Sequence, residues 1–128
     1  MTYECSCDSG DAAEFFTSYT VKKARKQFRC EECRGHVLPG DSYRYSAGRW
    51  DGNFMDHRHC DLCEELQQWA RISAPCFCYN FGDLHNEAQE MARAVDEEAP
   101  GVLAEYQQRI YKINKHNKDR RAVMEMAA

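Results

Sequence analysis

Cys30-Glu31-Glu32-Cys33-Arg34-Gly35 and Cys60-Asp61-Leu62-Cys63 are the two stretches of this 128-residue chain that decide its fold. Each holds two cysteines three positions apart, so both sulfurs can bind one metal ion, and two such pairs complete a tetrahedral four-thiolate zinc site. A glycine close behind the first pair is typical of a zinc knuckle, in which the chain turns tightly and backbone N–H groups point at the sulfurs. We therefore predict one zinc ion bound by Cys30, Cys33, Cys60 and Cys63.

The other four cysteines form an outer set, because Cys5-x-Cys7 precedes the inner pairs and Cys76-x-Cys78 follows them. Together the two sets use all eight cysteines. The alternative is that the outer four are free thiols, but their symmetric spacing favours a second four-cysteine zinc site. This second Zn²⁺ would be a structural staple that joins the N-terminus to the segment around position 76.

Between the inner pairs, the sequence predicts a β-hairpin and then a helix. Residues 41–50 are rich in aromatic side chains, Asp51-Gly52 is a strong two-residue turn, and residues 53–59 can return as the partner strand. A helical pattern then begins at Cys60 and ends before Pro75. The order of knuckle, hairpin and helix predicts a treble-clef zinc finger.

Two further helices are predicted after the outer cysteines. The first begins behind Asp83 as N-cap and runs to about Glu98, and the second begins near Val102 after Pro100-Gly101. Beyond Asn114 the apolar pattern lapses, so we expect the basic C-terminal end to be mobile. Their inward-facing positions are Leu84, Ala88, Met91 and Val95 in the first helix and Leu103, Tyr106, Ile110 and Ile113 in the second.

The predicted fold class is therefore α+β, a small dual-zinc module over residues 1–80 with a helical extension over 81–128. The N-terminus has no basic and apolar leader, and no stretch is apolar enough to span a membrane. We expect a cytoplasmic protein, because paired cysteines in a reducing compartment are more often metal ligands than disulfides.

Charge is distributed unevenly along the chain. The formal net charge is −4, and zinc–thiolate sites would make it more negative, which disfavours general nucleic-acid wrapping. Basic clusters nevertheless occupy residues 22–29 and 109–121. They either bind phosphates, with aromatic rings available for stacking on bases, or form solvated faces that partly offset the negative charge of the zinc–thiolate site. The residues proposed to contact a partner or nucleic acid are Lys22, Lys23, Arg25, Lys26, Tyr43 and Trp50, with Tyr45 as a further stacking ring.

Two alternatives concern the inner cysteines. A redox Cys-x-x-Cys pair is expected in a βαβ context, which the hairpin-then-helix pattern does not provide. His57-x2-Cys60-x2-Cys63 resembles the start of a LIM domain, in which the histidine would be a ligand, but Leu66 stands where a LIM domain needs another cysteine. Cysteine ligands are therefore favoured over His57.

Catalysis is not expected. Nucleases of the ββα-metal (HNH) class need asparagine and histidine on the helix that follows the hairpin, whereas this helix offers Glu64, Glu65, Gln67 and Gln68. A lone His85 at the start of a helix carries no predicted role. A zinc ion bound by four cysteines has no open coordination position for a substrate.

Seven motifs occur in a fixed order along the chain: Tyr3-Glu-Cys5-x-Cys7-Asp8, Lys23-Ala-Arg25-Lys26, Cys30-x2-Cys33-x-Gly35, Pro39-Gly40-Asp41-x-Tyr43, Trp50-Asp51-Gly52-x-Phe54, Cys60-x2-Cys63 and Pro75-Cys76-Phe77-Cys78. With these motifs the chain resembles small treble-clef zinc-finger proteins encoded by tailed phages and prophages. The resemblance implies a bacterial host cell as the setting but no reaction. We expect a non-enzymatic module that binds a host or phage protein to inhibit or redirect it; the alternative is a nucleic-acid-binding accessory protein.

Overall fold

A computed structural model describes residues 15–127, which form a mixed α+β structure with two small sheets and three helices, as the sequence predicts at this level. No helix in this part of the chain is both long and apolar enough to cross a membrane. The elements in chain order are β1 (Phe15–Val21), β2 (Phe28–Arg29), β3 (His36–Val37), β4 (Tyr43–Trp50), β5 (Asn53–Cys60), α1 (Asp61–Ser73), α2 (Leu84–Asp96) and α3 (Val102–Ala127).

The predicted hairpin is formed by β4 and β5. Asp51 and Gly52 both adopt positive φ, 52° and 79°, as a two-residue turn between right-twisted strands requires. The antiparallel register runs from Trp50 opposite Asn53 to Tyr43 opposite Cys60. This register places Cys60 at the end of the hairpin, directly before α1.

A third strand, β1, completes the sheet and was missed from the sequence. It pairs antiparallel with β4, so that the strand order is β1-β4-β5. Phe15, Phe16 and Tyr19 all lie in β1 with about half of each side chain exposed, and they do not share one face of the sheet. Strand alternation explains the result, because it sends Phe16 to one face of the sheet and the other two rings to the opposite face.

The knuckle is the turn of residues 30–35 between β2 and β3. Cys30 N donates to Gly35 O at 2.8 Å, and Arg34 N donates to Cys30 O at 2.9 Å. Arg34 has φ 64°, so the left-handed position of the turn falls on arginine and not on the glycine that the sequence pattern suggested. The knuckle therefore forms at a backbone cost of about 1 kcal/mol that glycine at position 34 would not incur.

The core lies between the three helices and the knuckle. All the predicted inward positions of α2 are buried, and in α3 Tyr106 and Ile113 are buried while Leu103 and Ile110 pack against the core. The α3 helix continues past Asn114, because the polar contacts of two later residues replace the apolar ones. Asn117 is buried against the knuckle, and Arg120 forms an ion pair with Asp41.

The knuckle also caps α2, in a way that the sequence did not reveal. Asp83 is the N-cap by position, but its side chain makes no capping hydrogen bond. Instead, the carboxylate of Glu32 accepts hydrogen bonds from Gly82 N at 2.8 Å and Leu84 N at 3.0 Å. A carboxylate at a helix N-terminus accepts hydrogen bonds from free N–H groups and interacts favourably with the positive end of the helix dipole. Glu32 therefore ties α2 to the knuckle.

We predict that Glu32→Ala lowers the free energy of unfolding by about 1 kcal/mol, the typical effect of losing an N-terminal cap. Urea denaturation followed by circular dichroism measures the change. Glu97→Ala, at the exposed C-terminal end of α2, is the matched control and should leave stability unchanged. Equal effects of the two substitutions would contradict the capping role.

Candidate metal centre

The four inner cysteines form a cluster, here called the sulfur cluster, whose sulfur atoms all lie within 4.8 Å of one another. Cys30 Sγ is 3.8 Å from Cys63 Sγ, and Cys33 Sγ is 3.7 Å from Cys60 Sγ. A disulfide would require about 2.05 Å. Tetrahedral Zn–S bonds of about 2.3 Å place neighbouring sulfurs about 3.8 Å apart, so this spacing suits a zinc ion.

Three elements position the four sulfurs. The knuckle supplies Cys30 and Cys33, the end of β5 supplies Cys60, and the first turn of α1 supplies Cys63. Cys30 and Cys63 are fully buried, whereas the other two are partly buried. The cluster thus lies inside the fold with one side nearer to solvent.

Backbone N–H groups point at the sulfurs, as expected for a knuckle. The amides of Glu32, Cys33 and Cys60 donate to Cys30 Sγ at 3.4, 3.4 and 3.3 Å, and Gly35 N donates to Cys33 Sγ at 3.4 Å. Donors directed at a sulfur favour its charged form. The local backbone is therefore organised around thiolates.

Without a cation, the four sulfurs cannot all ionise. Hydrogen bonds from Cys30, Cys60 and Cys63 hold the pKa of Cys33 well below its usual range. Hydrogen bonds with Cys30, Cys33 and Cys60, together with burial, raise the pKa of Cys63 far above it. Because a bound divalent cation is what allows all four to be thiolates, the cluster is chemically suited to a metal ion.

His85 lies against the cluster, although no role was predicted for it. Its Nε2 is 3.2 Å from Cys63 Sγ, and burial lowers the pKa of the imidazole. A neutral imidazole at this distance can donate its N–H to the sulfur. Since His85 is in the first turn of α2, this contact joins a second helix to the metal centre.

Asn117 of α3 approaches the cluster from the remaining side. After the larger contributions of the three other cysteines, a hydrogen bond from Asn117 lowers the pKa of Cys33 further. A Cβ atom added to Gly35 would overlap the Asn117 amide. Gly35 is therefore required because α3 passes directly above the knuckle, and not because its own φ is unusual.

His57 is not part of the sulfur cluster. Its Nδ1 is 2.8 Å from Glu31 Oε1, and its ring stacks on Phe81 with centroids 3.9 Å apart and planes 8° apart. The same Glu31 carboxylate accepts from Arg58 N at 2.7 Å. His57 thus orients β5 against the knuckle and the loop before α2, while Cys60 and Cys63 occupy the cluster.

The outer cysteine set is only partly described. Cys76 and Cys78 lie in the segment between α1 and α2 and are disulfide-bonded, whereas Cys5 and Cys7 fall outside the described residues. A sulfur in a disulfide is not a thiolate ligand. The described residues therefore do not show a second zinc site, which would need these cysteines reduced and stays a prediction.

A groove of 770 Å³ lies between α1 and the face of the three-stranded sheet that carries His57 and His59. His59 is 3% exposed, and its Nε2 is 2.7 Å from Glu64 Oε1. On the helix side the groove is lined by Glu64, Gln67 and Arg71. This wall lacks the asparagine and histidine that a ββα-metal nuclease places on its helix.

The basic residues of α3 separate into two groups. Arg109 lies over Trp69 with its Cζ 5.5 Å from the ring centroid, and the Lys112 ammonium is 3.7 Å from Glu65, so this end of α3 faces α1. Arg120 and Arg121 lie at the other end, near the knuckle.

Arg120 and Arg121 lie near the N-terminal basic cluster, on the side of the knuckle where His36 is located. After burial, the charges of Arg29, Arg121 and Arg120 lower the pKa of His36. His36 and Arg120 line the same shallow pocket. The loop of residues 22–26 is held beside them, because Ala24 N donates to Asp41 O at 2.7 Å and Asp41 pairs with Arg120. Lys22, Lys23, Arg25 and Lys26 are exposed there, and none pairs with a carboxylate among residues 15–126.

The aromatic residues proposed for stacking do not share one surface. Tyr43 and Tyr45 lie on the same face of the sheet as Arg58, which stands opposite Tyr45. Trp50 lies on the other face, where its ring packs at 6.2 Å from both Phe16 and Phe81. Successive side chains of a strand point to opposite faces of the sheet, and positions 45 and 50 are an odd number of residues apart, so Tyr45 and Trp50 lie on opposite faces.

Comparison with protein-family models, with curated proteins and with solved structures gave no match.

We predict that Gly35→Ala lowers the free energy of unfolding by about 1–3 kcal/mol, because the new methyl group overlaps the Asn117 amide. Chemical denaturation of Gly35→Ala, Asn117→Ser and the double variant tests this. In the double variant most of the destabilisation caused by Gly35→Ala should disappear, since serine is shorter. Strictly additive effects would show that the two residues are not in contact.

Proposed function

We propose that this chain is a non-enzymatic binding module built on a treble-clef zinc finger, with a structural Zn²⁺ held by Cys30, Cys33, Cys60 and Cys63. The observation that carries the proposal is the spacing of the sulfurs, 3.7 and 3.8 Å, on a knuckle, a hairpin end and a helix start. That order of elements is the one a treble clef uses. Four cysteine ligands leave no open coordination position, so the ion would stabilise the fold without reacting.

A second Zn²⁺ at Cys5, Cys7, Cys76 and Cys78 belongs to the same proposal. It would join the first residues of the chain to the segment between α1 and α2. The symmetric cysteine spacing supports it.

Protein purified under reducing conditions is expected to carry two zinc ions per chain by elemental analysis. Cys30→Ser should remove one ion and abolish cooperative unfolding, because structural zinc contributes on the order of 10 kcal/mol to folding. Cys76→Ser should remove the other ion and leave the first in place. One ion in the unmodified chain would refute the staple, and none would refute the zinc-based module.

The partner that the surface charges favour is nucleic acid. The charges of Arg29, Arg120 and Arg121 all act on His36, and the loop of residues 22–26 is tied to Arg120 through Asp41, although the two clusters are about eighty positions apart in sequence. A polyanion can contact lysine and arginine side chains from both clusters at once. Uneven charge of this kind allows local phosphate binding even in a chain whose net charge is −4.

A host or phage protein is the other partner class, as the resemblance to phage zinc-finger proteins suggests. Exposed aromatic side chains such as Phe16 and Phe54 are compatible with it. A metal-dependent nuclease is the least favoured function, because α1 presents Glu64 and Gln67 to the groove.

Fluorescence anisotropy of a labelled single-stranded oligonucleotide tests the nucleic-acid partner. Affinity should fall steeply as salt rises from about 50 to 200 mM, and Lys22→Gln with Lys23→Gln should reduce the salt slope by about 0.7 for each phosphate that is no longer neutralised. Lys112→Gln, which faces Glu65 on α1, is the matched control and should not change the slope. No binding at the lowest salt would reject nucleic acid and leave a protein partner.

A further inference from the structure

One face of the three-stranded sheet carries an organised set of aromatic and arginine side chains. Directly paired residues share a face, and the register aligns two rows across the strands. We call this side of the sheet the outer face. Its first row is Phe15, Arg49 and Phe54, and its second row is Tyr19, Tyr45 and Arg58.

The rings within each row are in contact. The centroids of Phe15 and Phe54 are 6.3 Å apart with planes at 29°, and those of Tyr19 and Tyr45 are 5.4 Å apart. The guanidinium of Arg58 lies over the Tyr45 ring, with Cζ 5.1 Å from its centroid. Each row is therefore a surface of π systems with a cation beside it.

Small side chains separate the two rows. Thr17, Ala47 and Asp56 lie between them, and Ala47 is buried at their base. Four residues of extended strand set the rows about 13 Å apart. The two rows of rings therefore stand on either side of a strip of smaller side chains.

The rings are open to solvent. Phe15, Tyr19 and Phe54 are 46%, 50% and 58% exposed, which is unusual for side chains of this size. The opposite face differs, because there Phe16 and Trp50 pack on Phe81 beside the groove. Phe16 on that face is also 53% exposed, so what sets the outer face apart is that its exposed rings form two rows with an arginine in each.

The charged residues of the outer face indicate which class of ligand it binds. Arg49 and Arg58 are the cations of the outer face, and its one carboxylate, Asp56, is already bound to the Tyr45 hydroxyl at 3.1 Å and to Arg58 at 3.5 Å. Directly after β1, the chain continues into the exposed basic loop of residues 22–26. Stacking surfaces that lead into a positive cluster match a ligand that combines exposed aromatic bases with phosphates.

We propose that the outer face binds single-stranded nucleic acid, with bases stacked on the Phe15–Phe54 and Tyr19–Tyr45 rows and the backbone continuing over the loop of residues 22–26. The proposal deepens the nucleic-acid function proposed above and rests on it. Duplex nucleic acid does not suit the surface, because its bases are already stacked on each other. Sequence preference should be weak, since every base offers a π face.

The test measures the affinity of labelled oligothymidylate, oligouridylate and a duplex of equal length by fluorescence anisotropy. Tyr19→Ala and Phe54→Ala should each weaken single-strand binding about 5- to 100-fold, the effect of losing one stacked base. Tyr19→Phe keeps the ring and should retain affinity. Met55→Ala removes an exposed apolar side chain from the opposite face and is the matched control. Zinc content and circular dichroism verify that each variant is folded.

The outcomes distinguish failure of the outer-face proposal from failure of the nucleic-acid function on which it rests. Loss of binding in Tyr19→Ala and Phe54→Ala, with Met55→Ala unchanged, supports the proposal, and the tighter of the two single strands indicates whether the ligand is DNA or RNA. Unchanged affinity in both alanine variants, with weakened binding in Lys22→Gln, would reject the outer face and keep nucleic acid as the partner. Absence of binding to every oligonucleotide would reject both, and a preference for duplex would reject the outer face.

Discussion

Everything else in this fold depends on bringing four sulfur atoms to within 4.8 Å of one another. Four thiols at that spacing repel one another as they ionise, so the arrangement is stable as a set of thiolates only around a cation. The chain meets this constraint by converging three elements, the knuckle, the end of β5 and the start of α1, on one point. Because Cys30 and Cys63 also belong to the buried core, the sulfur cluster and the apolar packing share that point.

The rest of the protein is attached to the sulfur cluster by polar contacts as well as by the apolar core. Glu32, between two of the cluster cysteines, caps α2, and His85 at the start of α2 reaches the sulfur of Cys63. Asn117 of α3 lies on Gly35 and beside Cys33. Because both later helices contact the knuckle, a loss of order at the sulfur cluster would loosen the helices as well. The surfaces that the helices position, including the basic residues around His36, would lose their arrangement with them.

Sequence patterns predicted several elements that depend on residues close together in the chain. The Asp51-Gly52 turn, the helical stripe from Leu84 to Val95 and the cysteine spacing each follow from residues a few positions apart. Strand β1 was missed, because Phe15 to Val21 carries no strict alternation of apolar and polar residues and pairs with a partner far along the chain. The left-handed conformation of Arg34 was missed for a different reason, since the neighbouring glycine is the residue that usually adopts it.

The sequence by itself determined the cysteine spacing and the order of elements, since closely spaced cysteines and turn residues act on their immediate neighbours. Tertiary structure decided which residues share a surface. Strand register put Tyr45 beside Tyr19 and sent Trp50 to the opposite face, and the path of α3 over the knuckle brought Arg120 to Asp41. These contacts are between residues that are distant in sequence. They depend on strand pairing and on the packing of helices, which a local sequence pattern does not reveal.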